Sequence, residues 1–346
     1  MKIKQCTITL TRGCNLRCSF CYAKGTKYLA NKTVDYDRLK KIIDFCDECK
    51  VTYIVFTGGE PLMYEHFMDI LKYIKSKKHK MLPTIASNGI LLANKKLCDE
   101  LVANGLSYID ISLKGANEEE WTKITGKNYL ENQKKAISNL SKMNIEYTCS
   151  MVLCKSNIDN FLNNIRMAYD NGARQFSFTF AIDNSYSNKK NLEYLKENNP
   201  RKLICKFISQ IEELNSITKE WWIEYSYPIC MYTEKQLLLL KNKLALPCQI
   251  HTKSGITFDT DLNLIPCNMG LDIKLGQFGK DFSNFKEFRK FAKKGKYREV
   301  NDELSQIPDR ECKRCKYYKA CNGGCPILWR NYSYNSMKKI LMDEGI

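Results

Sequence analysis

Three cysteines near the N-terminus, Cys14, Cys18 and Cys21, stand in a C-x3-C-x2-C array, and Gly58-Gly59-Glu60-Pro61 begins thirty-seven residues after the last of them. Three thiolates this closely spaced on one loop can hold three irons of a [4Fe-4S] cube and leave the fourth iron without a protein ligand. An iron left open in this way is a docking place for a substrate or cofactor. Three cysteines also suit structural zinc, but Asn15, Leu16 and Arg17 make the first gap longer than the two-residue knuckle common there. The adjacent glycines allow backbone to approach a ligand closely, and Glu60 offers a carboxylate to an ammonium group. A Gly-Gly-Glu-Pro string taken alone would read as a turn.

Such loops need strands that end where they begin. Apolar patterning places strands at residues 3–10, 51–57, 81–86, 108–113, 147–153 and 175–181. Between them run helical patterns such as Leu39, Ile42, Ile43 and Cys46, or Phe161, Leu162, Ile165, Ala168 and Tyr169, whose spacing marks one buried face. Six βα repeats argue for an α/β fold with a parallel sheet and outer helices, hence a barrel or partial barrel. Ligands in such barrels collect at the C-terminal ends of strands, where both motifs fall. In the sixth strand Phe176, Phe178 and Phe180 take one face and Ser177 and Thr179 the other, while Ile109, Ile111 and Leu113 alternate with Asp110 and Ser112. The polar faces are expected to line the cavity. From about Pro200 the alternation is expected to fail, with a helix over 202–214 leading past Trp221 and Trp222 into a cysteine-bearing tail.

Cys14 to Cys21, with Phe20 before the third cysteine and Tyr22 after it, followed by Thr57-Gly58-Gly59-Glu60-Pro61, resembles the radical S-adenosylmethionine (SAM) enzymes. The resemblance implies that the amine and carboxylate of SAM chelate the open iron and that one electron from the cluster cleaves the sulfonium. The 5′-deoxyadenosyl radical so formed takes hydrogen from unactivated carbon. It implies cofactor-binding roles for Phe20, Tyr22, Gly58, Gly59, Glu60, Pro61, Asn88 and Ser112, with Ser112 near the ribose. Read only as residues at strand ends, Asn88 and Ser112 serve equally well as internal hydrogen-bond partners. The segment 122–126 departs from the family, with Thr125 where an arginine often contacts the SAM carboxylate.

Near the C-terminus Cys312, Cys315, Cys321 and Cys325 form C-x2-C-x5-C-x3-C, preceded by Cys248 and Cys267. Viewed alone this tail reads as zinc. Beside the N-terminal motifs it resembles the SPASM extension, an auxiliary iron-sulfur domain of radical SAM enzymes that mostly modify peptides. The resemblance implies Cys248, Cys267 and Cys325 on a nearer [4Fe-4S] cluster and Cys312, Cys315 and Cys321 on a farther one. Six cysteines fall two short of the eight that two fully cysteine-bound clusters need, so one or two auxiliary clusters are expected. Asp343, Glu344, His251 or the substrate remain open as further ligands. Leu262 stands where the extension has a glycine, and Asn268 where sulfatase-maturing relatives carry an aspartate base, which disfavours that subclass.

The 346 residues carry a net charge of +17, with 44% hydrophobic and 27% charged residues, an ordinary balance for a globular protein. Lysine is spread over nearly every helical segment, so the charge is read as solvated surface and nucleic acid is not expected. No apolar run approaches the roughly 20 residues of a membrane span, and the N-terminus lacks a signal peptide. The expected location is cytoplasmic. Seventeen cysteines in a reducing compartment point to ligation rather than disulfides. Cys46 and Cys49 read as a buried helical pair. Cys149, Cys154, Cys205 and Cys230 match no ligand motif; since some peptide epimerases of the superfamily return a hydrogen atom from a thiol, Cys230 is the candidate donor, against the plain reading of a buried cysteine.

The expected whole is a partial, TIM-like (β/α)6 barrel over residues 1–200, a bridging segment over 201–247 and a cysteine-rich, SPASM-like cluster domain over 248–346. The expected activity is that of a radical SAM enzyme acting on a ribosomally synthesised precursor peptide, forming a carbon-carbon or thioether cross-link. Epimerisation and small-molecule dehydrogenation are the alternatives within the class, and a basic zinc protein binding nucleic acid the alternative outside it. Flavodoxin or ferredoxin is expected as electron donor, and leader recognition is expected from a separate leader-binding protein or from the enzyme's own surface.

Overall fold

The computed structural model describes residues 2–23, 32–182, 196–224, 227–245, 248–305, 310–333 and 335. Inside its sheet lies β1 (Gln5–Thr11), where Cys6, Ile8 and Leu10 are buried on one face and Thr7, Thr9 and Thr11 on the other. A strand covered on both faces shows such continuous burial in place of clean alternation. The other five expected strands form within two residues of their expected ends: β2 (Tyr53–Gly58), β3 (Leu82–Ser87), β4 (Tyr108–Ser112), β5 (Glu146–Leu153) and β6 (Phe176–Phe180). The helices between them are α1 (Tyr36–Glu48), α2 (Phe67–Lys75), α3 (Lys95–Ala103), α4 (Glu118–Thr125), α5 (Leu130–Leu140) and α6 (Phe161–Asp170). The start of α1 shows the local cause: the Asp35 side chain accepts from the Arg38 N–H, and Leu39, Ile42, Ile43 and Cys46 then present one buried stripe.

Alternation does not fail at Pro200, contrary to the expectation. Helices over Pro200–Ile208 and Ile211–Ile217 feed β7 (Trp221–Glu224), which pairs in parallel with β6, and β8 (Leu244–Ala245) follows in parallel. Four residues are too few to show a period of two, which is why β7 escaped the pattern. Chain beyond Cys248 then returns to the far side of the sheet, where β9 (Gly255–Phe258) pairs in parallel with β1, and β10 (Asn263–Ile265) and β11 (Gly276–Gln277) add antiparallel. The sheet order is β11-β10-β9-β1-β2-β3-β4-β5-β6-β7-β8, with no pairing among the described residues that closes β8 onto β11. The barrel is therefore partial.

Aromatic packing fastens both ends of the sheet to its helices. Phe161 of α6, Phe178 of β6 and Phe207 meet with ring centroids 5.2 to 5.6 Å apart. Phe45 of α1 is surrounded by Phe258, Phe278, Phe282 and Phe288, at 5.6 to 6.5 Å. Each fully buried ring contributes about 1.5–3 kcal/mol of burial, so this cluster holds β9 and the following segment against the first helix. Leu262, in the turn from β9 to β10, adopts φ 60°, the left-handed region that glycine enters freely. The turn survives the substitution because Asp259 accepts from the Asp261 and Asn263 N–H groups at 2.8 Å and because Leu262 is fully buried. Left-handed strain of about 1–2 kcal/mol is offset by burial of similar or greater size. No described helix is long and apolar enough to cross a membrane.

Candidate active site

The cysteine loop and the Gly-Gly-Glu-Pro loop leave the C-terminal ends of β1 and β2, which lie side by side with Thr9 opposite Thr57 and Thr11 opposite Gly58. Backbone bonds then lock loop to loop: Gly59 N–H donates to Thr11 O at 2.8 Å and Glu60 N–H to Gly13 O at 2.9 Å. A Cβ on Gly58 would sit 2.2 Å from Thr11 O; one on Gly59 would sit 2.0 Å from Gly13 O and 2.9 Å from Cys14 Cβ. What the two glycines make room for is the thiolate loop itself.

Cys14, Cys18 and Cys21 are half-buried. Leu16 N–H donates to Cys14 Sγ at 3.4 Å, and Cys21 N–H to Cys18 O at 3.1 Å. The end of α4 supports the loop from below, as Arg17 N–H donates to Thr125 O and Ser19 N–H to Ile124 O. Burial pushes the Cys14 thiol up, and Glu60, Cys18 and Cys21 add to it through their charge. Three sulfurs close enough for their charges to act on Cys14 suit a metal cluster, whose charge deprotonates a coordinating thiol outright. The residues therefore fit the three-thiolate face of a cube.

Glu60 is the keystone of the surrounding frame. Its carboxylate is buried and accepts from Ser87 Oγ at 2.8 Å, Asn88 N–H at 2.9 Å and Leu62 N–H at 3.3 Å, which joins the ends of β2 and β3. Burial raises its pKa, while these bonds and the charge of Lys114 pull the other way. Asn88 Nδ2 reaches on to Asn15 Oδ1 at 2.7 Å, inside the cysteine loop. Tyr22 donates its hydroxyl to Gly58 O at 3.2 Å, and Pro61 is buried at the first position of a short 3-10 turn. Phe20 lies under the Lys114 ammonium, 5.1 Å from its ring centroid. Ser112, at the end of β4, receives the same ammonium on its Oγ at 2.6 Å.

Two residues that sequence reading missed complete this frame. Lys114 is a buried cation two residues past Ser112, just beyond the end of β4. Gln133 is fully buried on α5 and donates through Nε2 to Asn88 O at 3.0 Å and Ser112 O at 3.1 Å. A polar residue within the apolar stripe Leu130, Ala136, Ile137 and Leu140 marked it. Thr125 is fully buried with its hydroxyl within reach of the Trp121 and Lys127 carbonyls, so its side chain faces its own helix end. Inside the sheet, burial pushes the Asp110 carboxyl up to about 6, partly countered by a hydrogen bond from Ser150.

The tail cysteines fall into two groups. Cys248, Cys267 and Cys325 are near enough to perturb one another: burial first and then Cys248 push Cys325 up to about 11, and Cys267 is raised by burial and then by Cys325 and Cys248. His251 Nε2 lies 3.0 Å from Gly324 O, so one ring nitrogen is engaged by backbone. Cys312, Cys315 and Cys321 line a separate cavity of about 230 Å³, and Cys230 lines it with them. A 3-10 turn at Ile229–Met231 carries Cys230 to the tail thiols. Cys230 is exposed as a residue, contrary to the plain reading of a buried cysteine, but the cover over its sulfur, and then Cys321, Cys312 and Cys315, push the thiol up to about 12. Asp343 and Glu344 lie outside the described residues. Among the described residues no three His, Cys, Asp or Glu side chains close on the point a single metal ion would occupy; the thiols are spread around a cavity.

The family model described as the Radical SAM superfamily matches residues 8–180. Among curated proteins the chain is similar to GTP 3',8-cyclase of Clostridium perfringens, 31% identical over 167 residues, 47% of this chain and 51% of that protein. It is also 32% identical over 136 residues to a probable GTP 3',8-cyclase of Methanococcus maripaludis, 39% of this chain and 45% of that protein. The chain thus spans about half the length of these curated relatives. Among solved structures it resembles native anSMEcpe with bound AdoMet, with a TM-score of 0.70 at 16% identity over 98% of this chain and 97% of that one. It resembles Streptococcus suis SuiB bound to precursor peptide SuiA equally well, at 0.70 and 16%, over 94% of this chain and 72% of that one. At such identity these two likenesses speak to the fold. With half of its length matched by the family model and the partial barrel common to these neighbours, the chain belongs to the radical SAM superfamily, whose members work with a [4Fe-4S] cluster and SAM.

Proposed function

We propose that the chain is a peptide-modifying member of the superfamily that forms an oxidative cross-link, carbon-carbon or thioether, in a ribosomally made precursor. The observation that carries this reading is the gathering of tail cysteines into two groups on a fold that matches the peptide-associated neighbours over nearly its whole length. On this reading residues 1–200 are the catalytic unit, 201–247 a bridge and 248–346 the auxiliary cluster region. Cys248, Cys267 and Cys325 hold the nearer cluster and Cys312, Cys315 and Cys321 the farther one.

Cys14, Cys18 and Cys21 hold the SAM-binding cluster. Bound there, cluster and SAM supply an electron and a radical able to take hydrogen from carbon. Glu60 offers its remaining lone pairs to the SAM ammonium, and its three bonds to β2 and β3 hold it still while it does so. Lys114, braced by Ser112, answers the SAM carboxylate in place of the family's arginine. Phe20, Tyr22, Gly58, Gly59, Pro61 and Asn88 wall the cofactor. Asn268 has no carboxylate to accept the second hydrogen as a proton, and an auxiliary cluster held by the tail cysteines would supply the place for its electron. Flavodoxin or ferredoxin supplies the first electron, and a separate protein presents the leader.

A second reading, a guanine nucleotide as substrate, draws on the curated relatives named GTP 3',8-cyclase. Anaerobically reconstituted protein with SAM and dithionite separates the two. With a precursor peptide encoded beside its gene, the peptide reading expects 5′-deoxyadenosine to rise together with loss of two hydrogens from the peptide. Turnover of GTP with no peptide change overturns it.

A further inference from the structure

Cys312, Cys315 and Cys321 make three ligands for the farther cluster, one short of the four thiolates that hold a cube as a rule. We propose, building on the auxiliary-cluster reading above, that Cys230 is the fourth thiolate of that cluster, supplied from the bridging segment and not from the tail. Cys230 shares one cavity with the three tail thiols, beside Tyr317 and Trp329. The cavity holds about 230 Å³, against the roughly 10–15 Å³ by the same measure that a water requires. It is the size of a polyatomic group and not of one ion.

Cys230 is held in place from both sides. On the barrel side Pro228 opens the 3-10 turn, Met231 N–H donates to Pro228 O at 3.0 Å, and Tyr227 stacks on Phe180 of β6 while donating its hydroxyl to Ala181 O at 2.7 Å. On the tail side Ile229 N–H donates to Cys321 Sγ at 3.2 Å, so the residue before Cys230 already touches a ligand sulfur. Gly324, at φ 78°, packs so closely that a Cβ on it would lie 2.7 Å from Pro228 N. Glu234, just past the turn, pairs with Lys316 between Cys315 and Cys321. Four-iron cubes are held by four cysteine thiolates as a rule, and the fourth here comes from a segment anchored on the sheet. Closed by four thiolates, the farther cluster has no iron left for substrate and is an electron carrier. The three-thiolate group of Cys248, Cys267 and Cys325 is then the one with a vacant ligand position.

Anaerobic alkylation with iodoacetamide, mapped by peptide mass, tests this on the full chain, because alkylation requires a free thiolate. In reconstituted protein Cys230, Cys312, Cys315 and Cys321 are expected to label about ten-fold or more slower than in apoprotein. If the three tail cysteines are protected while Cys230 labels as in apoprotein, this inference falls and the cluster reading stands; if none is protected, the cluster reading itself falls. Reconstituted C230A, reduced and given 13C-cyanide, is expected to show carbon hyperfine coupling at a cluster that does not bind cyanide in the native protein. Native-like behaviour means that Cys230 is only covered, which overturns the assignment. Should C230A lose about four irons per chain, C230S decides: retained iron with a shifted potential supports ligation, and iron as low as in C230A overturns it.

Discussion

Gly59→Ala is the sharpest probe of how the two N-terminal motifs cooperate. The added Cβ would lie 2.0 Å from Gly13 O, 2.5 Å from Gly13 C and 2.9 Å from Cys14 Cβ. Atoms met at these distances are backbone and the first side-chain carbon of a ligand, neither of which can swing aside. Restoring ordinary contact needs about 1 Å of separation between the loops, at the typical overpacking cost of about 1–3 kcal/mol. That displacement stretches the Glu60 N–H to Gly13 O bond and moves Cys14 relative to Cys18 and Cys21. Three thiolates displaced on that scale no longer share one cube. Global stability falls modestly, while reconstituted iron falls by about four atoms per chain and SAM cleavage is lost. Iron and sulfide assay, the low-temperature spectrum of the reduced protein and 5′-deoxyadenosine formation follow this. Gly279→Ala is the control, since a Cβ there meets nothing within 4 Å and leaves only the strain of its φ of 82°. If Gly59→Ala reconstitutes to full iron with a native spectrum and cleaves SAM, the close approach of the loops does not position the cluster.

Lys114→Met removes the buried cation beside Ser112 Oγ; with a charge-assisted bond worth about 1.5–3 kcal/mol, KM for SAM is expected to rise about 10- to 100-fold, and an unchanged KM refutes its role at the carboxylate. Glu60→Gln leaves a backbone N–H of Leu62 or Asn88 facing an amide NH2, so an unfolding free energy lower by about 1–3 kcal/mol is expected in denaturant titration; native stability would show that the carboxylate does not brace β2 to β3. Asp110 has its pKa raised by burial to about 6, so the folded chain holds a proton that the unfolded chain has released between about pH 4 and pH 6. Its contribution falls as pH rises through that window, by up to about 3 kcal/mol from a shift of about two units, and Asp110→Asn is expected to lose this slope. Midpoints of urea unfolding at pH 4.5 and 7 for both proteins measure it, and equal slopes would place the effect elsewhere.

Much was legible in one dimension because spacing carries it. Cys14, Cys18 and Cys21 lie on one loop, and the strands feeding that loop and its neighbours are periodic, so six strands, their order and the C-terminal position of the motifs could be read directly. Residues that act across the fold could not. Gln133 gains its role from bonds to Asn88 and Ser112, which meet only after β3 and β4 pair, and Lys114 becomes a buried cation only in the folded chain. β7 was hidden because its four residues, although they alternate in burial, are too few to stand out as a pattern. The need for glycine at 58 and 59 was evident from sequence, but its cause, the carbonyls of Thr11 and Gly13, belongs to the pairing of β1 with β2.

By itself the sequence determined the local chemistry: three thiolates on a short loop, a carboxylate behind two glycines, and a parallel α/β order to carry them. Only the tertiary structure decided the company each group keeps, above all that Cys230 meets Cys312, Cys315 and Cys321 across more than eighty residues of chain. Local patterns record the period of a helix or strand, whereas a contact between distant segments is fixed by how packed surfaces dock, and no neighbouring residue carries its trace.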